Sequence, residues 1–224
     1  IGTLKLSNYF NANNRNITSS QNVQLLPGKS YTITLKFELG IQLAASDINL
    51  TQNGCTASDK NYLAKLRWAT GNLKSTGSTN YIWAPSQTET GYYYTWYSTY
   101  TGNKTTNNTD PCSKLNTAYY GTGWRTPSEN DYIPLSRCTD KVLTNGGMWF
   151  MNKSIGIFLL AAGTIGNGGG SATSNPNYST AKTGQYWTSK KDGENRGISF
   201  TFNPSSTFMF SDYQATGIPV RCVK

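Results

Sequence analysis

From Cys55 onward the sequence falls into short aromatic segments, Leu63 to Trp68, Asn80 to Ala84 and Tyr92 to Tyr97, parted by stretches of Gly, Ser, Thr and Asn. No apolar spacing of three or four residues links them, so this region reads as short strands between loops and not as a helical bundle. The bulk to fill a core between such strands is present. Aromatics make up 13% of the 224 residues, with fifteen Tyr and six Trp, while charged residues reach only 14% against roughly 25% in an average domain. A chain of 24.6 kDa holds one large or two small domains.

Apolar runs follow at Met148 to Met151 and Ile155 to Ala162, and further strands are expected at Tyr186, Ile198 to Phe202, Phe208 to Phe210 and Ile218 to Val223. Between them lies a long loop from Gly163 to Thr183, of a length that is usually functional or disordered. One helix start stands out, Thr126-Pro127-Ser128-Glu129, with Thr126 as N-cap, Pro127 at the first helical position and Glu129 reaching back. Pro134, two turns later, is expected to end or kink that helix, because it lacks an N–H and pushes Ile133 from helical angles. Upstream of Cys55, Tyr31, Ile33, Leu35 and Phe37 alternate with Thr32, Thr34, Lys36 and Glu38, the period-two mark of a half-buried strand. Leu4 with Leu6, and Val23 to Leu26 before the Pro27-Gly28 turn, add short strands. The expected organisation is a few antiparallel strands over residues 1–50, as a partial sandwich or appended sheet, then an α+β, mostly β domain over 51–224 with long loops and one or two short helices. No internal repeat is found.

Cys55, Cys112, Cys138 and Cys222 are too widely spaced for a zinc ribbon or finger. Their even number suits two structural disulfides in an oxidising compartment, with three connectivities open and four buried free thiols as the alternative. The absence of His removes His-based triads and His-ligated metal sites. Among eleven carboxylates only Asp192 with Glu194 and Glu129 with Asp131 lie close in sequence, both spaced for turns or helix caps. No catalytic residue, metal or cofactor is therefore expected. The glycines of Gly166 to Gly170 lack the Gly-Lys-Ser/Thr ending of a phosphate loop and read as flexibility. A net charge of +9 without a basic run points away from nucleic acid and favours acidic partners, glycans among them, at long range. No apolar stretch approaches the roughly 18 residues of a membrane helix, the longest being Ile155 to Ala162. With Ile1 first and no basic-then-apolar leader, the sequence reads as a mature or trimmed form.

Two stretches carry recognition chemistry. As a strand, Gly91 to Tyr100 places Tyr92, Tyr94 and Trp96 on one face and Tyr93, Thr95 and Tyr97 on the other. One face belongs to the core. The second would present rings to a sugar or a protein, which makes Trp96, Tyr97 and Tyr100 candidate ligand residues, with a half-buried aromatic strand as the alternative. The long loop sets Asn167, Asn175 and Asn177 around its one aromatic, Tyr178, the adaptable polar groups and rigid ring of a recognition loop, with an idle flexible surface loop as the equal alternative.

The order of motifs also carries a resemblance. Asp110-Pro111-Cys112, Gly123-Trp124-Arg125-Thr126-Pro127, Leu159 to Gly163, Gly184-Gln185-Tyr186-Trp187-Thr188-Ser189 and Gly217-Ile218-Pro219-Val220-Arg221-Cys222-Val223-Lys224 together resemble the Fibrobacter succinogenes major paralogous domain. That family belongs with C-type-lectin-like folds and is distantly related to formylglycine-generating enzymes. The resemblance covers about Leu63 to Lys224, and residues 1–50 are similar to the last strands of a fimbrillin-type β-sandwich. Within these motifs Trp124 and Trp187, large apolar bodies with one donor each, are expected in the core, with a ligand role as the alternative, and Arg125 and Arg221 are expected to pair with Glu129, Asp131 or backbone carbonyls. The resemblance implies a disulfide from the segment before the short helix to the last strand, Cys112 with Cys222, leaving Cys55 with Cys138. The formylglycine-generating relatives need reactive cysteines near the chain end, whereas Cys222 stands alone there in an apolar strand and is expected to be inert. Calcium-dependent lectins need a carboxylate in the long loop, where Asn175-Pro176-Asn177 has none, and an Asn-Asp after the strand Trp, where Thr188-Ser189 stands. The resemblance thus implies an extracellular, cell-surface or pilus-associated adhesin-like subunit of Bacteroides type, binding a glycan or host protein without calcium beside neighbouring pilin subunits. A purely structural pilin or cap is the alternative, and a formylglycine-generating-type enzyme the third reading.

Overall fold

The computed structural model describes residues 40–45, 48, 50, 54–75, 81–99, 107–152, 155–165 and 183–224. The chain divides after Glu38, and every described residue belongs to the second unit, Leu39–Lys224. The strands expected at Leu4 and Leu6, Val23 to Leu26 and Tyr31 to Phe37 lie outside the described residues.

The described part is α+β and mostly β. It starts with helix α1 (Ala57–Leu63), which the sequence reading does not predict. The helix forms because Thr56-Ala57-Ser58-Asp59 makes a capping box, with the Asp59 amide donating to Thr56 Oγ1 at 3.0 Å and the Thr56 amide to Asp59 Oδ2 at 3.1 Å. The strand expected from Leu63 to Trp68 is replaced by the last residue of that helix, a turn and a bridge at Trp68. Trp68 joins only single bridges, to Ile41 on one side and to Val223 on the other. Strands β1 (Leu73–Ser75) and β2 (Tyr81–Trp83) pair antiparallel, and β3 (Tyr93–Tyr94) pairs with the short last strand, β10 (Ile218–Pro219).

A 3-10 turn (Pro111–Lys114) and the one-turn helix α2 (Thr117–Tyr120) lead to α3 (Glu129–Cys138). Helix α3 begins two residues later than the sequence predicts, because Ser128 is the N-cap and Asp131, not Glu129, reaches back to the Ser128 amide and hydroxyl at 2.6 and 2.8 Å. Pro134 does not end it. At the sixth helical position the ring removes one amide bond, and the helix runs on through buried Leu135 to Cys138, which is bonded to Cys55 before α1.

Beyond α3, β4 (Asp140–Thr144), β5 (Gly147–Asn152) and β6 (Ile155–Leu160) form an antiparallel meander. The β4–β5 turn is the dipeptide Asn145-Gly146, with Gly146 at a φ of 89° that a side chain would resist. A second meander joins β7 (Gly184–Lys191), β8 (Arg196–Phe202) and β9 (Thr207–Tyr213). Its core face, with Tyr186 and Phe200, packs with Leu43, Leu63, Trp68, Tyr132, Phe150 and Val223 in the largest apolar cluster. Phe200 stacks flat on Tyr132, with centroids 4.5 Å apart.

Both disulfides implied by the resemblance are formed, Cys55–Cys138 and Cys112–Cys222. Such crosslinks belong to an oxidising compartment. Among the described residues no helix is long and apolar enough to cross a membrane.

Candidate functional site

Alternation fixes two faces on the β7–β8–β9 sheet. In register, Gln185 lies beside Thr201 and Thr201 beside Phe208, Trp187 beside Ser199 and Ser199 beside Phe210, and Gly197 beside Asp212. These residues share the face turned away from Tyr186, Phe200 and Met209. Toward β7 the face is buried under a second cluster that includes Trp187, Tyr94 and Trp96. Toward β9 it opens: Phe208 is 40% and Phe210 48% exposed, with ring centroids 6.5 Å apart and planes at 80°. Two nearly perpendicular phenyl rings thus form an outward corner on a strand that pairs only with β8 among the described residues.

Beside this corner sits a polar cluster. Ser199 Oγ donates to Asp212 Oδ2 at 2.6 Å, and Gln185 Nε2 lies 3.3 Å from Thr201 Oγ1 and 3.4 Å from Asp212 Oδ2. Burial pushes the Asp212 carboxyl above its usual range, against the opposing pulls of the Ser199 hydroxyl and the Arg196 charge. Arg196 itself belongs to the other face. It pairs in register with Tyr213, and its guanidinium lies 4.3 Å from that ring's centroid and donates to Ser211 O.

Trp96 and Tyr97 reach the same end of the sheet in a role the sequence does not predict. The expected strand from Tyr92 to Tyr97 narrows to Tyr93 and Tyr94, and residues from Tyr93 through Trp96 are all buried. Both sides of β3 are covered, Tyr94 packing in one cluster with Trp187 and Ile218 and Tyr93 in another with Phe158 and Leu160. Trp96 lies on Gly197, so close that a Cβ at 197 would enter the indole ring, and its Nε1 donates to Thr188 O at 3.0 Å. Tyr97, half-buried at a left-handed φ of 44°, packs on Trp96 with centroids 5.4 Å apart. Trp96 thus walls the row Gly197–Ser199–Thr201 at its Gly197 end, with Tyr97 packed on Trp96. Tyr100, Asn167, Asn175, Asn177 and Tyr178 lie outside the described residues.

Other charged groups serve the fold. Arg221 is fully buried and its guanidinium donates to Asn72 Oδ1, Ala69 O and Phe158 O at 3.0, 3.0 and 2.8 Å. Asn72 continues the network to Thr90 O and the Tyr186 hydroxyl. Arg125 forks onto Asp131 at 2.6 and 2.8 Å, and Tyr62 donates to the same carboxylate. Glu129 accepts from Lys190 at 2.7 Å. The carboxylates of the Glu129–Asp131 pair are therefore each engaged by a cation. Trp124 and Trp187 are core residues, their indoles donating to Tyr120 O and Tyr94 O at 2.7 Å.

The open corner was only half legible. The sequence predicts a strand at Phe208 to Phe210, yet aromatics at 208 and 210 followed by an acid at 212 put three chemically active residues on one face, while Met209 between them faces the core. That spacing is the available signal. Comparison with protein-family models, curated proteins and solved structures gives no match to the chain.

Proposed function

We propose that this chain is a recognition module of the cell exterior, an adhesin-like subunit of a cell surface or pilus. It binds a glycan or protein ligand without calcium, through the open face of β9. Kinship with the Fibrobacter succinogenes major paralogous domain and its C-type-lectin-like fold is part of this reading. It is supported by the Cys112–Cys222 crosslink from the segment before α3 to the chain end.

The observation that carries the reading is the pair Phe208 and Phe210, solvent-facing on β9 beside a hydrogen-bonded carboxylate. Rings left in water on a small disulfide-linked domain fit a binding surface better than a catalytic one. Wild-type protein and the double variant Phe208→Ala/Phe210→Ala are to be screened on glycan and host-protein arrays. Binding by the wild type that the variant loses, at unchanged thermal stability, is the expected outcome.

Silence of the wild type on both arrays would favour the structural pilin or cap instead. One observation suits that rival: β9 pairs only with β8 among the described residues, and its seven residues carry no Pro or Lys to discourage strand addition by a neighbouring subunit.

A further inference from the structure

We infer that the β9 corner is a subsite for an uncharged, hydroxyl-rich sugar. This inference rests on the recognition reading above and names the ligand class of that site. The open hydrogen-bonding capacity of the face is that of an acceptor. Asp212 Oδ2 accepts from Ser199 and lies near the Gln185 amide, whereas Oδ1 has no partner among the described residues. The Gln185 Nε2 group is turned toward Thr201 and Asp212, which leaves its carbonyl oxygen as a second acceptor without a partner among the described residues. The two hydroxyls of the cluster belong to residues that are themselves buried, Ser199 and Thr201.

A ligand for such a corner must bring donors to Asp212 and an apolar surface to Phe208 and Phe210. A pyranose does both, with hydroxyls around its rim and a C–H face that lies on one ring while its edge meets the other. Charge narrows the class from both sides. A sugar carboxylate or sulfate would meet the Asp212 carboxylate, while the guanidinium of Arg196, whose charge is felt at Asp212, is itself held on the opposite face against Tyr213. A cationic ligand would suit a carboxylate beside aromatic rings, but it approaches a chain of net charge +9, which repels it at long range. The acidic glycans suggested by net charge alone are thus disfavoured at this face.

The test is calorimetric titration with lactose and maltotriose as neutral probes and sialyllactose as the matched acidic one. Wild type, Phe208→Ala/Phe210→Ala, Asp212→Asn and a Tyr119→Ala control are each verified as folded by thermal melting. The wild type is expected to bind at least one neutral probe and to bind sialyllactose less well than lactose. The phenylalanine variant loses binding. Asp212→Asn weakens the neutral probe about tenfold, the scale of one charge-assisted hydrogen bond, while gaining tolerance for sialyllactose. Tyr119→Ala, which removes a ring 75% exposed on α2, leaves binding unchanged.

Preference of the wild type for sialyllactose, or neutral binding untouched by both β9 variants, would overturn the subsite while leaving a recognition module that binds elsewhere. No binding of these probes together with silence on glycan and protein arrays would remove both readings.

Discussion

Replacing Gly197 by Ala puts a methyl group into the indole of Trp96, which is itself held by its bond to Thr188 O. Overpacking of this kind costs about 1–3 kcal/mol. The variant should therefore show a lower denaturation midpoint and altered Trp fluorescence, and an unshifted midpoint would mean that Trp96 is not the wall described. The exposed rings behave oppositely, since truncating Phe210 should move stability by no more than about 0.5 kcal/mol. Arg221 marks the other extreme. Its buried guanidinium is matched by neutral acceptors alone, and burial pulls its pKa below the ordinary arginine value. Arg221→Leu strands Asn72 Oδ1, Ala69 O and Phe158 O at about 1–3 kcal/mol each, so a loss above about 3 kcal/mol is expected in urea denaturation. Arg221→Lys should rescue little of it, because one ammonium cannot span acceptors placed for a planar fork. A Leu variant within about 1 kcal/mol of wild type would refute the network's importance.

Helix α3 shows how a local signal can be right in kind and wrong in register. Thr126-Pro127-Ser128-Glu129 promises a helix start, but Asp110 takes the Thr126 amide and hydroxyl, at 3.0 and 2.7 Å, so Thr126 is spent on the preceding turn and Ser128 caps instead. That competition runs across sixteen residues and no local window contains it. Helix α1 was legible in Thr56-x-x-Asp59 and the β4–β5 hairpin in Asn145-Gly146, signals masked by the aromatic and apolar residues around them. The exposure of Phe208 and burial of Trp96 were not legible, since both depend on which sheet packs on which. At α3 the capping carboxylate also sets a pH dependence. Burial works against the Asp131 charge, yet the Arg125 fork and the Ser128 amide and hydroxyl outweigh it and hold the pKa below the usual carboxylate value. The resulting stabilisation is complete above the unfolded-state pKa of about 3.9 and is lost as pH falls through the lower folded value. Wild type should lose stability over that acid window more steeply than Asp131→Asn, as followed by circular dichroism in urea. Parallel profiles would contradict the assignment.

Over the whole described unit, two long-range crosslinks compensate for short elements. They close separations of 83 and 110 residues, each worth about 2–4 kcal/mol through restriction of the unfolded chain. Peptide mapping without reductant should recover Cys55–Cys138 and Cys112–Cys222, with no alkylatable thiol in native protein. A reactive Cys222 would reopen the formylglycine-type reading. The scaffold so fixed buries most of its aromatic residues and leaves Phe208 and Phe210 outside as a pair, which is the central claim about function. Hydroxyl-radical footprinting addresses it directly, using whichever array ligand binds most tightly. In free protein Phe208, Phe210 and Tyr119 on α2 should all oxidise readily, in keeping with their exposure. With ligand at saturation, Phe208 and Phe210 should be protected while Tyr119 oxidises as before, whereas undiminished oxidation of both phenylalanines under bound ligand would contradict the account.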